Sequence, residues 1–122
     1  RRIMLGTYVL SSGYYDAYYN KALKIRKMIT DHLVDYLSKL DIILLPTTPT
    51  VAFDKNSKTD NPLEMYLSDI FTIPISLAGL PAMSVPIGNV NKLPVGMQIC
   101  SNHLQENNIF AFSTFLENNL IK

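Results

Sequence analysis

One thiol and two imidazoles in this sequence could form a nucleophile and its base: Cys100, His32 and His103. Nucleophilic catalysis needs the thiol and an imidazole within hydrogen-bond distance, and a third group that orients the imidazole. Cys100 ends a predicted strand, and His103 follows three residues later in a loop. This spacing matches no local Cys-His signature, and no His/Cys/Asp cluster has the spacing of metal ligands. We therefore interpret Cys100 as a buried structural thiol and expect no catalytic residue and no metal site here.

Hydroxyl-bearing residues cluster near the start of the chain. Ser11-Ser12-Gly13 lacks the strand–turn–helix context of a serine nucleophile. We expect these serines to cap a helix that begins near Tyr14. Four tyrosines in this region could stack a base or a ligand, but their helical spacing favours packing in a core or a subunit interface. They are Tyr14, Tyr15, Tyr18 and Tyr19.

Two charged residues have the chemistry of a binding site, Arg2 and Asp69. Arg2, judged alone, is a surface arginine. Asp69 lies near the C-terminal end of a predicted short apolar helix, where the helix dipole disfavours a carboxylate. A carboxylate in that position generally has an interaction partner or a functional role, so Asp69 is a candidate ligand-binding residue.

The composition is that of a globular chain with little net charge. Of 122 residues, 48% are hydrophobic and 17% are charged, and the formal net charge is +1. These values argue against disorder. The sequence contains no cluster of basic residues that would indicate direct binding to nucleic acid. The single cysteine excludes an internal disulfide, and no apolar run reaches membrane-helix length. The length suits one domain or a large part of one.

Apolar spacing predicts the helices that must position these side chains. A period of three to four residues predicts one long helix over residues 14–39, and a capping pattern at Asn61 predicts another over 62–70. Gly79 and Pro81 stop a short helix over 75–78, and a last helix covers 105–118. The long helix is expected to bury Tyr18, Ala22, Ile25, Ile29, Leu33, Tyr36 and Leu40, and the last one Ile109, Phe112, Leu116 and Leu120.

Three strands complete the predicted architecture. The apolar run in residues 41–46 predicts a strand covered on both faces. Residues 82–87 and 94–100 predict two further strands, joined by a turn over 88–91. The resulting order α-β-α-α-β-β-α predicts an α/β fold, a mixed β-sheet flanked by helices.

Six segments carry a resemblance to a known family. They are RRIMLGTY (1–8), SGYYDAYY (12–19), PTTPT (46–50), PLEMYLSD (62–69), GLPAMSVPIG (79–88) and LPVGMQ (93–98). Together they resemble the A subunit, the glutaminase chain, of glutamyl-tRNA(Gln)/aspartyl-tRNA(Asn) amidotransferase, a member of the amidase-signature family. The resemblance implies that residues 1–122 are the C-terminal segment of a single amidase-signature domain whose catalytic part lies upstream. The start on two arginines without an initiator Met fits this expectation.

The resemblance also implies an activity and its partners. The glutaminase chain hydrolyses glutamine to glutamate and ammonia with a Ser–cis-Ser–Lys triad, which lies upstream of the segment seen here. The ammonia passes to a B subunit that uses ATP and Mg²⁺ to amidate mischarged tRNA, and a small C subunit clamps the other two together. The expected partners are therefore glutamine, the B and C subunits, and tRNA through the complex, with no membrane and no cofactor in this segment. The expected location is the cytoplasm, or an organelle in a eukaryote.

Two residues of this chain match the family's glutamine-recognition residues. Arg2 matches an arginine that holds the α-carboxylate of glutamine, and Asp69 matches an aspartate that holds its α-ammonium. A guanidinium fork suits a carboxylate, and a carboxylate suits an ammonium. We expect both side chains to face one cavity, between the start of the first helix and the end of the 62–70 helix.

Two other interpretations stay open at this point. One is the C-terminal part of a stand-alone amidase-signature hydrolase that acts on other amides. The other is a non-catalytic interaction module. The pair Arg2 and Asp69 separates the first interpretation from the amidotransferase, because a hydrolase of apolar amides has no use for a clamp on an amino acid.

Overall fold

The computed structural model describes residues 2–11, 14–55 and 62–119. Helix α1 (Arg2–Val9) is followed by a π-helix (Tyr15–Tyr19) that continues directly into α2 (Asn20–Leu37). Strand β1 (Ile43–Pro46), helices α3 (Pro62–Leu67) and α4 (Ile73–Ala78), strands β2 (Ala82–Val90) and β3 (Leu93–Cys100), and helix α5 (Glu106–Asn119) complete the chain. The predicted α/β class is confirmed, and the predicted elements occur in the predicted order.

The three strands form one sheet in the order β1-β3-β2. Cys100 of β3 pairs with Ile43 on one side and with Ala82 on the other, and both pairings are antiparallel. The sheet of the described residues is therefore antiparallel throughout, whereas a mixed sheet was expected. The reason is the connection: a hairpin forces β2 and β3 to be antiparallel, and β1 joins the free side of β3 in the same sense.

Helices cover both faces of this sheet. On one face, β3 packs under α2 and α4 through Leu37, Ile75, Ala78, Leu80 and Cys100. On the other face, the sheet packs under α5 through Val85, Ile99, Ile109 and Leu116. Successive residues of a strand point to opposite faces, so Ile99 and Cys100 belong to different cores although they are neighbours in sequence. The result is a three-layer arrangement of helix, sheet and helix.

Strand β1 is shorter and more exposed than the sequence predicted. It spans Ile43–Pro46, and its residues alternate between partly buried and exposed, with Leu44 43% exposed. The expectation of a strand covered on both faces is therefore wrong in this structure. A run of four apolar residues cannot distinguish a central strand from one at the border of a sheet.

The long helix buries only part of the predicted stripe. Leu33 packs against the core as predicted, together with Val34 and Leu37, whereas Tyr18, Ile25 and Tyr36 are at least half exposed. The π-helix offsets the angular phase of Tyr18 relative to α2. Within α2, a period of 3.6 residues shows which side chains share a face, but it does not show which part of that face another element covers.

The hairpin turn also lies beyond its predicted position. Strand β2 runs on to Val90, and the two turn residues are Asn91 and Lys92, with φ of 52° and 66°. Two consecutive positive φ values are typical of a type I′ turn, which matches the twist of a hairpin. Gly88, with φ of 148°, lies at a bulge in β2 and lets the strand continue past the predicted turn.

The short helices and α5 lie close to their predicted positions. Helix α3 ends at Leu67, and its predicted cap Asn61 lies outside the described residues. Helix α4 ends at Gly79, whose φ of 72° is the left-handed conformation that a helix terminus favours. In α5, Ile109 and Leu116 are buried as predicted, and Leu120 lies outside the described residues.

Candidate functional site

Asp69 lies in the connector between α3 and α4, which we define as residues 68–72. Its backbone is held from both sides. Its N–H donates to the Tyr66 carbonyl at 3.2 Å, and its carbonyl accepts the N–H groups of Thr72 and Ile73 at 3.1 and 3.0 Å. The side chain itself is exposed, and within the described part of the chain no hydrogen bond or ion pair engages its carboxylate. The site therefore offers a free carboxylate on a fixed backbone.

Two local features of the sequence create this connector. Pro74 has no N–H and lies in the first turn of α4, the one part of a helix where an N–H has no helical partner. Thr72 occupies the N-cap of α4, and its hydroxyl donates to the Asp69 carbonyl at 3.3 Å. One continuous helix from α3 through α4 is thereby interrupted, and Asp69 lies in the interruption.

A cavity of about 510 Å³ lies beside the last turn of α3. It is lined mainly by apolar side chains of the loop after β1, together with polar groups of α3 and the connector: Pro49, Thr50, Val51, Ala52, Phe53, Glu64, Leu67 and Ser68. Ser68 directly precedes Asp69, so the connector that carries the carboxylate also forms one border of the cavity. A concave, mostly apolar space with a few polar groups is typical of a small-molecule site.

Arg2 is the first residue of α1, and its side chain lies outside the described part of the structure. Helix α1 lies against the π-helix, where the Tyr8 and Tyr14 rings are 4.6 Å apart. A second cavity, of about 380 Å³, is lined by Leu5, Tyr8, Val9, Tyr14 and Tyr18. A cavity shared by Arg2 and Asp69 therefore stays a prediction.

Polar side chains, one of them buried, connect the site to the sheet, and sequence reasoning missed them. Gln98 of β3 is 6% exposed, and its side-chain amide donates to the carbonyl of Phe71 in the connector at 3.0 Å. The hydroxyl oxygens of Thr47 and Ser84 are 2.7 Å apart, directly over Gly96. The signal that could have revealed Gln98 is an amide in the middle of an otherwise apolar strand.

The other candidate residues show no catalytic arrangement. Cys100 is fully buried, as the sequence predicted, and this burial raises the pKa of its thiol to about 11. Both His32 and His103 are exposed. In residues 2–11, 14–55 and 62–119, no three His, Cys, Asp or Glu side chains lie close enough together to hold a metal ion. None of the helices in these ranges has the length and apolar character needed to cross a membrane.

Ser11 does not have its expected role, and the N-terminal tyrosines are not buried within this chain. The Ser11 hydroxyl donates a hydrogen bond to the Tyr8 carbonyl at 2.6 Å. It therefore provides a partner for a carbonyl at the C-terminal end of α1 and does not cap the following helix. Ser12 and Gly13 lie outside the described residues. The rings of Tyr15 and Tyr19 stack 4.9 Å apart, and Tyr15 is 44% exposed. The tyrosines therefore do not form a core of this chain, and their packing in a subunit interface stays a prediction.

Comparisons with known proteins agree with these observations. The sequence profile of the Amidase family matches residues 1–110. The A-type subunit of glutamyl-tRNA(Gln) amidotransferase from Clostridium botulinum is 57% identical over 110 residues, which are 90% of this chain and 23% of the relative. The protein of the same name from Legionella pneumophila is 52% identical over 113 residues, 93% of this chain and 23% of the relative.

Solved structures show the same fold. The crystal structure of the corresponding glutamyl-tRNA(Gln) amidotransferase subunit from Thermotoga maritima has a TM-score of 0.83 and 50% identity, over 98% of this chain and 26% of that one. A crystal structure of an amidase has a TM-score of 0.73 at 24% identity, over 98% of this chain and 28% of that one, and it supports the fold alone. The chain thus spans about a quarter of the length of these relatives. Because the family profile covers 110 of its 122 residues, this chain belongs to the amidase family.

Proposed function

We propose that this chain is the C-terminal segment of the glutamine-hydrolysing subunit of a tRNA-dependent amidotransferase. The proposal is supported by 50–57% identity to proteins named as the A-type subunit of glutamyl-tRNA(Gln) amidotransferase. The complete polypeptide would hydrolyse glutamine and supply ammonia to convert Glu-tRNA(Gln) to Gln-tRNA(Gln), Asp-tRNA(Asn) to Asn-tRNA(Asn), or both. Its serine and lysine catalytic groups would lie outside this segment. A B subunit that uses ATP and Mg²⁺ and a small C subunit would complete the enzyme, in the cytoplasm or in an organelle.

The role of this segment is to hold the amino-acid end of glutamine. Asp69 binds the α-ammonium, and Arg2 binds the α-carboxylate. The observation that carries this role is the carboxylate of Asp69, which is exposed and unpaired within the described residues on a backbone held by hydrogen bonds on both sides. A charge-assisted hydrogen bond to such a preorganised group is strong, because little freedom is lost when it forms. Fixing the backbone end of the substrate places its side-chain amide at the nucleophile.

The test compares two nitrogen donors in the complete enzyme. Asp69→Ala and Arg2→Ala should each lower kcat/KM for glutamine by roughly 30- to 5,000-fold, because one partner of a desolvated charge pair is lost. Amidation with ammonium supplied directly should continue, since ammonium needs no amino-acid clamp. A matched control is Asp31→Asn, which removes an exposed carboxylate paired with Lys27 on α2; it should change neither rate.

Three outcomes would overturn the proposal. Equal loss with glutamine and with ammonium would mean that Asp69 serves folding or assembly. Full glutamine hydrolysis by Asp69→Ala, or a preference for apolar amides over glutamine, would favour a stand-alone hydrolase of the same family.

A further inference from the structure

Gln98 occupies a position where the fold alone favours an apolar side chain. It lies in the central strand β3, two residues before the fully buried Cys100, and it points to the same face of the sheet. That face packs under α2 and α4. Burying a primary amide costs free energy unless its polar atoms find partners. The observed partner is the carbonyl of Phe71, 3.0 Å from Nε2 of Gln98.

Phe71 lies inside the turn that carries Asp69. The carbonyl of Asp69 accepts hydrogen bonds from the N–H groups of Thr72 and Ile73, so residues 69–73 form a closed turn. Gln98 holds the middle of this turn and connects it to the most buried strand of the sheet. Any displacement of the Phe71 carbonyl therefore moves the Cα of Asp69 as well, because the closed turn moves as a unit.

We propose that Gln98 is a positioning residue, which anchors the connector so that the carboxylate of Asp69 is held where it meets the substrate ammonium. This inference rests on the proposed function of Asp69. Gln98 touches no substrate and acts through the backbone of the connector. Since the contact between Asp69 and the substrate ammonium persists from the bound state to the transition state, its loss affects substrate binding more than turnover.

The experiment measures steady-state glutamine hydrolysis by the complete enzyme. Gln98→Met keeps the volume and removes the donor, and Gln98→Glu keeps the shape but gives a carboxylate that cannot donate when ionised. Each should raise the KM for glutamine by about 10-fold to 100-fold, the range expected when one charge-assisted contact is weakened by about 1.4–2.8 kcal/mol, with little change in kcat. Amidation with ammonium should keep its rate. If Gln98→Met fails to assemble, Gln98→Asn tests the same idea, since it withdraws the amide from Phe71 by one methylene.

The control variant is Ser113→Ala in α5. Ser113 is 7% exposed, and its hydroxyl donates to the Phe110 carbonyl at 3.0 Å on the opposite face of the sheet. Ser113→Ala also removes a buried bond from a side chain to a backbone carbonyl, but on the other side of the sheet from the connector, so its KM for glutamine should stay unchanged. A rise in KM in this variant as large as in Gln98→Met would overturn the inference.

A double variant separates the inference from the function on which it rests. If Gln98 acts through Asp69, then Gln98→Met should add nothing to the KM of Asp69→Asn. The positioning role would be refuted if the increases in KM caused by Gln98→Met and Asp69→Asn multiply in the double variant. It would also be refuted if Gln98→Met lowers the glutamine and ammonium activities in parallel. Both results would leave the role of Asp69 intact. A normal KM for glutamine in Asp69→Asn would refute the proposed function itself.

Discussion

At the scale of single residues, Gly96 shows how closely the sheet is packed beside the site. A Cβ at this position would lie 2.8 Å from the Ser84 hydroxyl oxygen and 3.0 Å from that of Thr47. Those two hydroxyls are hydrogen-bonded to each other at 2.7 Å, above the glycine. Thr47 also donates its N–H to the Gly96 carbonyl at 3.1 Å. Gly96 thus lets the end of β1 lie against the sheet, just before the loop that lines the cavity.

Gly96→Ala should therefore destabilise the complete protein by about 1–3 kcal/mol, since the new methyl group separates the two hydroxyls. The measurement is chemical denaturation of the wild type and the variant. In a Ser84→Ala background the nearest atom, the Ser84 hydroxyl oxygen, is absent. Gly96→Ala should then lower the free energy of unfolding clearly less than it does in the wild type. Equal costs in both backgrounds would show that the hydroxyl pair has no part in the effect.

Cys100 gives a second prediction at this scale. Its thiol is fully buried, and desolvation raises its pKa to about 11. At a pH of about 8 only about one thiol in a thousand is then ionised, and the thiolate is the reactive form. We expect almost no labelling by a maleimide at this pH in the native state and rapid labelling in denaturant. Labelling of the native protein at the rate of a free cysteine would show that the residue is accessible.

At the scale of elements, the hairpin of β2 and β3 contains the least favourable backbone of the sheet. Lys92 has φ of 66°, a left-handed conformation that is costly for a residue with a Cβ. Asn91 precedes it with φ of 52°, and asparagine tolerates this region well. The turn geometry therefore favours Asn-Gly over the Asn-Lys pair that the chain contains.

Lys92→Gly should raise the free energy of unfolding by about 0.5–1 kcal/mol, as glycine relieves the strain at positive φ. The reference variant is Lys24→Gly in the interior of α2, where replacing lysine with glycine should lower the free energy of unfolding by about 1 kcal/mol. Thermal midpoints of the two variants should thus move in opposite directions. A destabilising Lys92→Gly would argue against a type I′ turn.

The elements also show what sequence reasoning can and cannot predict. Local signals worked where one residue decides the outcome: Gly79 ends α4 because its left-handed conformation suits a helix terminus. Periodicity gave only part of the buried stripe of α2, because it cannot show which part of the helix another element covers. The antiparallel sense of β1 was equally invisible, since it depends on the path of the chain between β1 and β3.

At the scale of the whole molecule, this chain exposes much apolar surface. In α1, Ile3 is 87% exposed and Met4 is 78% exposed, and the tyrosine surface continues from there. Contiguous apolar patches of this kind mark interaction surfaces or cause aggregation. Among the described strands, β1 and β2 are the outer ones, and their outer edges add backbone groups that can recruit another chain.

We therefore expect the 122-residue chain, expressed by itself, to be oligomeric or poorly soluble. Sedimentation velocity over a range of concentrations measures this directly. A monomer that unfolds in one sharp thermal transition would contradict the expectation.

The same isolated chain should release no glutamate from glutamine, because the proposed nucleophile and base lie outside it. A glutaminase assay against a buffer control tests this. Activity above the control that is abolished by a substitution within these residues would refute the prediction.

The candidate site was only partly predictable from the sequence. The resemblance singled out Asp69, and the helix-dipole argument gave the same residue independently, because both depend on local sequence. The cavity beside α3 and the bond from Gln98 to Phe71 were not predictable, as both arise from segments that meet only in the folded chain. For Arg2 the sequence supplies the chemistry, and its side-chain position stays a prediction.

The most direct test of the central claim is a crystal structure of the complete polypeptide with glutamine bound, in a variant whose catalytic nucleophile is removed. We predict the Asp69 carboxylate at about 2.7–2.9 Å from the α-ammonium nitrogen and the Arg2 guanidinium in a bidentate contact with the α-carboxylate. Both side chains would then face one cavity. Glutamine bound away from the connector, or Arg2 and Asp69 on opposite faces of the molecule, would contradict the account.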